Sequence, residues 1–250
     1  MPRPRFRDDQ WERIYAVLKA CPEIYVGREP ATRRFVEAVL WMARAGCAWR
    51  LVPDEVGSWN SVYKRFARWQ EKGVWAALLD HLAADADLEW VMLDSTVVRA
   101  HACAAGAKKI AGEQALGRSR GGFSSKLHAV ADSLGNPLAF RLTAGQQGDA
   151  PQALPLLDRF TATAVIADKA YDTDAILQAV AAEGALAVIP PKATRIHQRP
   201  TDWQLDQQRH KIENLFSFMK HYRRDFARFE KLARRYLAFV HLVAACILLR

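Results

Sequence analysis

An apolar segment that carries one acid constrains the fold of this chain more than any other feature of its sequence. Residues 88–101 read LEWVMLDSTVVRAH and are rich in β-forming side chains on both alternating faces. That pattern is typical of a central strand that is covered on both sides. Asp94 interrupts the apolar run, and the burial of an unpaired carboxylate is costly. We therefore expect Asp94 to be ion-paired, hydrogen-bonded or bound to a metal.

The segments that follow this strand predict a mixed sheet with helices packed against it. Two strands are expected on either side of a turn at residues 135–136. After them come a helix, the strand 162–168, a second helix, the strand 185–192 and a long helix that Asp202 caps. Asp168 ends one of these strands, at the carboxyl edge where open sheets place their ligands. An ordinary turn cap is the alternative for this residue.

The first ninety residues predict short helices, and the third of them has the features of a recognition helix. It begins after Ser58, and its apolar back consists of Trp59, Val62, Tyr63 and Phe66. The opposite face is short, polar and basic and consists of Ser61, Lys64, Arg65 and Arg68. A helix that enters the major groove of DNA requires such a front. A solvated surface helix shows the same pattern, so the helix alone leaves both alternatives open.

Basic residues outnumber acidic ones, which favours a polyanionic partner such as nucleic acid. The chain has 36 Lys and Arg against 27 Asp and Glu, a formal net charge of +9. The excess is concentrated in residues 99–126 and 192–235, on either side of an acidic centre. Hydrophobic residues make up 50% of the chain, which excludes a disordered protein.

The cysteines and the apolar runs predict a cytoplasmic protein that does not bind a membrane. The four cysteines form no CxxC pair, which favours free thiols in a reducing compartment. The first residues contain no apolar signal core, and the longest apolar run, 236–249, is too short to span a bilayer.

The predicted long helix places Glu213 on the edge of an apolar stripe. The stripe consists of Leu205, Ile212, Phe216 and Met219. Arg209, Glu213 and Lys220 follow a second line beside it, four and then seven residues apart. An active-site acid at the rim of the sheet fits this line. A surface ion pair between Arg209 and Glu213, worth a few tenths of a kcal/mol, fits it as well.

Four motifs, in order, resemble the catalytic domain of the DDE transposases of bacterial insertion sequences, and most closely the insertion sequence five family. They read LDST, GRSRGGFSSKLH, VIADKAYD and RHKIENLFSFMKHYRR. The segment WRLVPDEVGSWNSVYKRFARWQEKGVW resembles the helical DNA-binding region of the same family. The resemblance implies a ribonuclease-H-like α/β fold, a mixed sheet with flanking helices, in residues 88–250. A small all-helical, helix-turn-helix-like domain is expected in residues 1–87.

The resemblance also implies that Asp94, Asp168 and Glu213 are the three acids of the active site. They are expected to hold two Mg²⁺ ions, for which Mn²⁺ can substitute. Such ions activate the attacking oxygen and stabilise the leaving oxygen at a phosphodiester, and they prefer oxygen ligands. The family's helix signature combines Tyr, Arg, Glu and Lys at fixed spacing. This sequence keeps Arg209, Glu213 and Lys220 and has Asp206 in place of the tyrosine.

Basic residues complete the implied site. Lys220 is expected to be a fourth catalytic residue, which steadies the scissile strand. Contacts with DNA are expected from Lys64, Arg65, Arg68, Arg118, Arg120, Lys126 and Arg209. For these bases a solvated surface position is the alternative. Asp149 and Asp172 are expected to cap helices, and His101 and His128 are expected to be hydrogen-bonding or core residues rather than zinc ligands.

Together these features predict a transposase that binds the terminal inverted repeats of an insertion sequence and catalyses metal-dependent DNA cleavage and strand transfer. Its expected partners are double-stranded DNA, at the element ends and the target, and a second copy of the chain in the synaptic complex. We expect it in the bacterial cytoplasm, on the nucleoid when bound to DNA. Two alternatives stay open: a ribonuclease-H-like nuclease without strand transfer, and an inactive, transposase-derived DNA-binding protein.

Overall fold

A computed structural model describes residues 5–107, 114–119 and 121–250, which divide into two compact units. The first unit combines residues within 1–84, 100–114 and 219–250, and the second combines residues 85–99 and 115–218. This division differs from the predicted boundary at residue 87. The last apolar helix packs with the N-terminal helices, because its buried face completes their core.

The described residues form α-helices and strands with the following bounds. In the described part of the chain the α-helices are α1 (Asp8–Ala20), α2 (Glu29–Ala45), α3 (Trp59–Glu71), α4 (Val74–Leu82), α5 (Ala150–Leu157), α6 (Asp174–Ala182), α7 (Trp203–Asp206), α8 (His210–Met219), α9 (Arg223–Phe226) and α10 (Ala233–Leu248). The strands are β1 (Trp90–Ala100), β2 (Gly117–Ser119), β3 (Gly122–Ala131), β4 (Pro137–Ala144), β5 (Ala164–Ala167), β6 (Leu186–Val188) and β7 (Ala227–Arg228). No helix in these ranges is long and apolar enough to cross a membrane.

The first unit is a helical assembly around an aromatic core. Local sequence sets the helix ends: α2 has a proline in its first turn and stops at Gly46, whose φ of 65° suits a residue without a side chain. The helix α10 packs against α2, α3 and α4. Phe66 of α3 stacks on Phe239 of α10 with ring centroids 4.5 Å apart, and both rings are fully buried. Burial of such rings dominates the stability of a core.

The second unit is built on a mixed sheet, which confirms the predicted fold class. The strand β1 lies at its centre, antiparallel to β3 and parallel to β5. On one side β4 and the short β2 pair with β3, and on the other side β6 pairs parallel with β5. The two central strands are buried on both faces, at Val91, Met92, Leu93, Val165, Ile166 and Ala167.

The helix that carries Glu213 is shorter than the sequence predicts. Asp202 caps its start as expected, because Oδ1 accepts from the backbone N–H groups of Gln204 and Leu205 at 3.0 Å. A 3-10 turn over Gln207–Arg209 then separates α7 from α8. The predicted single helix over residues 203–222 is therefore two helices, and Glu213 lies in the first turn of the second.

Candidate active site

Two of the predicted acids stand side by side where the parallel pairing of β1 with β5 ends. The register pairs Leu93 of β1 with Ala167 of β5. Asp94 and Asp168 are the next residues along the two strands, and neighbouring strands lie about 4.8 Å apart. The register therefore brings both residues to the carboxyl edge of β5, Asp168 directly after that strand and Asp94 within β1.

Asp94 is partly buried, and its surroundings oppose its negative charge. Its Oδ1 accepts from the backbone N–H of Ser95 at 2.7 Å. Burial raises the pKa of Asp94 to about 6, with smaller upward contributions from Asp168 and Glu213, against the Ser95 bond and the cationic Arg209. The three predicted acids thus act on one another electrostatically.

Asp168 and Glu213 have their own partners. The carboxylate of Asp168 accepts from the backbone N–H of Ala170 at 2.9 Å and so caps a 3-10 turn. Glu213 accepts from Nη1 of Arg209 at 2.6 Å, and its side chain is 51% exposed. The surface ion pair that the sequence left open is therefore formed. Asp206, in place of the family tyrosine, has a buried Oδ1 without a hydrogen-bond partner among the described residues.

The donor chemistry of this edge fits a hard divalent cation, because three carboxylates supply only oxygen ligands. Within the described ranges, however, no three His, Cys, Asp or Glu side chains form a group that could hold a metal ion as they stand. Glu213 is instead engaged by Arg209. The carboxylates of Asp94 and Asp168 thus fit a divalent cation where they stand. The carboxylate of Glu213 fits one only after its ion pair with Arg209 is broken.

A fourth carboxylate, Asp149, lies beside this edge and was not predicted to. Its side chain makes no helix-cap hydrogen bond. Its Oδ1 accepts from Oγ of Ser95 at 2.8 Å and pairs with Nζ of Lys126 at 2.9 Å. Lys126 also donates to the carbonyl of Gln147, and only 14% of its side chain is exposed. The predicted helix cap is therefore wrong for Asp149, and the ammonium group of Lys126 is engaged by Asp149 and by the Gln147 carbonyl.

His128 confirms the prediction of a hydrogen-bonding core residue. Its Nε2 lies 2.8 Å from Oγ1 of Thr143, and the side chain is fully buried. Burial lowers the pKa of His128 to about 4, although Asp149 opposes the shift. The ring is therefore neutral at pH 7 and is a structural support behind β1.

Tyr171 is a further residue that the sequence did not single out. Its ring is buried, and its hydroxyl, which lies near the Ser95 side chain, makes no well-formed hydrogen bond to the described residues. Burial raises the pKa of Tyr171, and the carboxylates of Asp149, Asp94 and Asp168 raise it further. The hydroxyl thus faces the acidic edge as a neutral group. Its position three residues after Asp168, at the end of the turn that follows β5, is the signal that could have found it.

Asp172 is not the helix cap that the sequence predicts but the centre of a buried ion network. Its carboxylate accepts from Nε of Arg195, from Nη2 of Arg199 and from the backbone N–H of Lys192, all at 2.8–2.9 Å. The side chain itself is fully shielded from solvent. Burial opposes ionisation, but Arg195, the Lys192 N–H and Arg199 together lower the pKa of Asp172 to about 2.

The remaining predicted bases divide into exposed and engaged side chains. Exposed positions are taken by Lys64, Arg68, Arg118 and Lys220. Arg120 lies outside the described residues. Arg65 departs from the predicted basic front, because its Nη2 donates to the carbonyl of Val26 and to Oγ1 of Thr32, and its guanidinium stacks over Phe35. Position 65 therefore lies on the side of α3 that faces the other helices of the unit.

Two known protein families match this chain, one in its N-terminal part and one in the rest. The family described as "Transposase DDE domain" matches residues 86–249, and the family described as "Putative transposase of IS4/5 family" matches residues 6–79. A "Putative transposase for insertion sequence element IS6501" of Brucella ovis is 43% identical over 130 residues, which are 51% of this chain and 100% of that protein. An "Uncharacterized protein y4sN" of Sinorhizobium fredii is 47% identical over 106 residues, or 42% of this chain and 85% of that protein.

A solved structure supports the fold. The piggyBac transposase, in a synaptic complex with hairpin DNA, superposes with a TM-score of 0.60 at 9% sequence identity. The match covers 98% of this chain and 72% of that one. At this identity the likeness concerns the fold, and it agrees with a ribonuclease-H-like sheet.

Proposed function

The chain belongs to the DDE transposases and is a DNA transposase. On this premise we propose that it cuts the ends of an insertion sequence and that Asp94, Asp168 and Glu213 are the acids of its active site. The observation that carries the proposal is the register of β1 and β5, which sets Asp94 and Asp168 side by side at one edge of the sheet. Glu213 acts electrostatically on Asp94 from α8. We propose that these three acids, from two strands and a helix, form one active site.

We propose that Asp94 and Asp168 hold divalent cations, with Mg²⁺ favoured by the all-oxygen ligand set and Mn²⁺ as a substitute. When bound, two such ions supply an activated oxygen nucleophile and a stabilised leaving oxygen at the phosphodiester. The raised pKa of Asp94 fits this role, since a carboxylate that burial destabilises gains most from a nearby positive charge. Glu213 would hold a cation with them once it is released from Arg209, whose guanidinium would then be free to bind a phosphate of the scissile strand.

Side chains behind the acids fix their position. The Asp149 carboxylate accepts from Ser95, the residue after Asp94, and is itself neutralised by Lys126. This arrangement holds β1 in place while Asp94 engages its ligand. Lys220, exposed directly after α8, is assigned to the phosphates of the cleaved strand.

We assign recognition of the terminal inverted repeats to the first unit. Lys64 and Arg68 project from α3 into solvent on its basic face, while Phe66 and Trp69 fill the core behind them. This arrangement matches a helix whose front contacts DNA and whose back anchors it. Replacement of both bases with Ala should weaken DNA binding and reduce its salt dependence by about two phosphate contacts.

The proposed reaction sets the partners and the location. Cleavage at both ends of an element and joining to a target require two active sites, so we propose a homodimer in the synaptic complex. The partner is double-stranded DNA at the element ends and at the target. The protein then acts in the bacterial cytoplasm, on the nucleoid.

The deciding experiment follows labelled element-end DNA with the purified full chain and Mg²⁺ or a chelator. We expect nicking with Mg²⁺, joining of the cut end to a second duplex, and neither with the chelator. Asp168→Asn and Glu213→Gln should abolish nicking but leave DNA binding intact. Nicking without joining would indicate a nuclease, and binding without nicking would indicate an inactive DNA-binding protein.

A further inference from the structure

A cavity of about 230 Å³ in the first unit is lined by aromatic and charged side chains. Its aromatic walls are Trp49, Trp59, Tyr63, Phe66 and Phe229. Its charged residues are Arg224, Glu230, Lys231 and Arg235. Pockets for drug-sized ligands occupy roughly 300–1,000 Å³, so this smaller cavity suits a single planar ring system. The reaction at the acids makes no use of it.

The aromatic walls are arranged to receive a flat ligand. Trp49 meets Tyr63 edge-on, with centroids 5.2 Å apart, and leans on the buried Phe66 at 5.3 Å. Trp49, Trp59 and Tyr63 are only partly buried, so their rings retain accessible surface. Aromatic side chains of this kind stack on nucleic-acid bases whose faces are free.

Two polar atoms of the cavity residues are left unused. Nε of Arg235 is buried and has no hydrogen-bond partner within the described ranges, although Nη1 donates to the Tyr63 hydroxyl. Oε2 of Glu230 is likewise buried without a partner there, while Oε1 accepts from Arg224 at 2.7 Å. Buried donors and acceptors are normally paired. One free donor and one free acceptor match the edge of an amino-bearing base, which offers both groups.

The rim of the cavity favours an anionic ligand. Lys231 is exposed beside the aromatic walls, and the Arg235 guanidinium lies 4.9 Å from the Tyr63 ring. Glu230, the one acid among the lining residues, is neutralised by Arg224 at 2.6 Å. The net positive charge therefore suits a phosphate attached to the stacked ring.

We propose that this cavity binds one unpaired nucleotide of the DNA, with the base against the aromatic side chains and the phosphate at Lys231. The inference rests on the proposed function, because it takes DNA as the ligand. Enzymes that do chemistry on a base show that a fitted pocket with aromatic walls can hold one extruded nucleotide of a duplex. Here the pocket would hold the DNA end in one register.

The test measures the affinity of the full chain for two duplexes of the same sequence, one fully paired and one with a single unpaired cytidine. We expect the bulged duplex to bind about tenfold more tightly. Trp59→Ala and Lys231→Ala should bring this ratio close to one. Arg234→Ala is the matched control, because Arg234 is exposed, lies on the same part of the chain and does not line the cavity. It should lower both affinities alike and preserve the ratio.

Thermal unfolding of each variant separates folding from binding, and Lys231→Ala removes an exposed side chain that the core does not need. Equal affinities of the wild type for the two duplexes would overturn the proposal, as would a ratio that survives both cavity substitutions. Competition by free deoxycytidine monophosphate as strong as that by the bulged duplex would also overturn it. Paired-duplex binding without a preference leaves the proposed function intact, whereas no binding of either duplex removes both.

Discussion

The central strand that carries Asp94 and the loop that surrounds Asp172 belong to the same unit, but they act in opposite ways on the charge of a shielded carboxylate. Burial raises the pKa of Asp94 to about 6. At Asp172, burial opposes ionisation, but Arg195, Lys192 and Arg199 lower the pKa to about 2. Among the described residues no cation lies within ion-pair distance of Asp94, whereas two guanidinium groups contact Asp172. A carboxylate that the protein neutralises supports the structure, and one that it leaves uncompensated is available to a ligand.

The largest expected difference between the two regions concerns activity. Asp94→Asn should reduce Mg²⁺-dependent nicking to background, because the amide cannot replace an anionic metal ligand. The free energy of unfolding should fall by no more than about 0.5 kcal/mol, since the substitution removes a desolvated charge. Nicking assays and urea unfolding of the same preparation measure both effects. Wild-type nicking by this variant would remove Asp94 from the site.

Asp172→Asn should show the reverse pattern. Removal of the central charge leaves Arg195 and Arg199 without their acid, which should lower the free energy of unfolding by about 2–4 kcal/mol. The estimate is below that for a fully enclosed pair because both arginines are partly exposed. Nicking per folded molecule should persist at temperatures well below the unfolding transition. A loss of less than about 0.5 kcal/mol in urea unfolding would contradict a structural role.

The pH dependence of stability sharpens the contrast. Because the pKa of Asp172 in the folded state, about 2, lies below its ordinary value of 3.8, its contribution is complete above about pH 4. It is lost as the pH falls toward 2, and it amounts to about 2 kcal/mol. Urea unfolding of the wild type between pH 5 and pH 2 should show this loss. The curve of Asp172→Asn, measured in parallel, should be flatter by that amount, and identical slopes would refute the assignment.

The smallest effects on stability are expected at Lys220 and Arg209. Lys220→Ala and Arg209→Ala should each change the free energy of unfolding by less than about 0.5 kcal/mol, because an exposed base or a surface ion pair contributes little. Lys220→Ala should nevertheless slow nicking strongly, and Lys220→Arg should restore it only in part, since a planar guanidinium does not replace a compact ammonium. Single-turnover rates with saturating DNA and Mg²⁺ measure the effect. Unchanged rates in Lys220→Ala would restore the surface interpretation.

Much of the second unit could be predicted from the sequence, because its signals are local. The apolar run around Asp94, the strand that ends at Asp168 and the cap at Asp202 each depend on neighbouring residues, and all three occur where expected. The position of Asp168 also follows from a rule, namely that open sheets place their ligands at the carboxyl ends of their strands.

The supporting contacts could not be predicted, because they join residues that lie far apart in the sequence. Asp149 binds Ser95 across 54 positions, and Asp172 binds Arg195 and Arg199 across 23 and 27. An aspartate before a helix is usually a cap, so the local pattern favoured the wrong role for both. The inward position of Arg65 could not be predicted for a similar reason. The helical wheel places Arg65 at the boundary of the basic face, and only its contacts with Phe35 and Thr32 show that the side chain turns inward.

The place of α10 in the first unit has a consequence for how the protein is made. Its side chains fill the core of α2, α3 and α4, and the carbonyl of Leu249 accepts from the Gln10 amide at 2.8 Å. During synthesis the N-terminal helices therefore leave the ribosome without the surface on which they pack, and residues 85–218 emerge in full before that surface does. A message that breaks off before α10 is translated yields helices with an open apolar face. The DNA binding that we propose for the first unit is therefore expected to require α10.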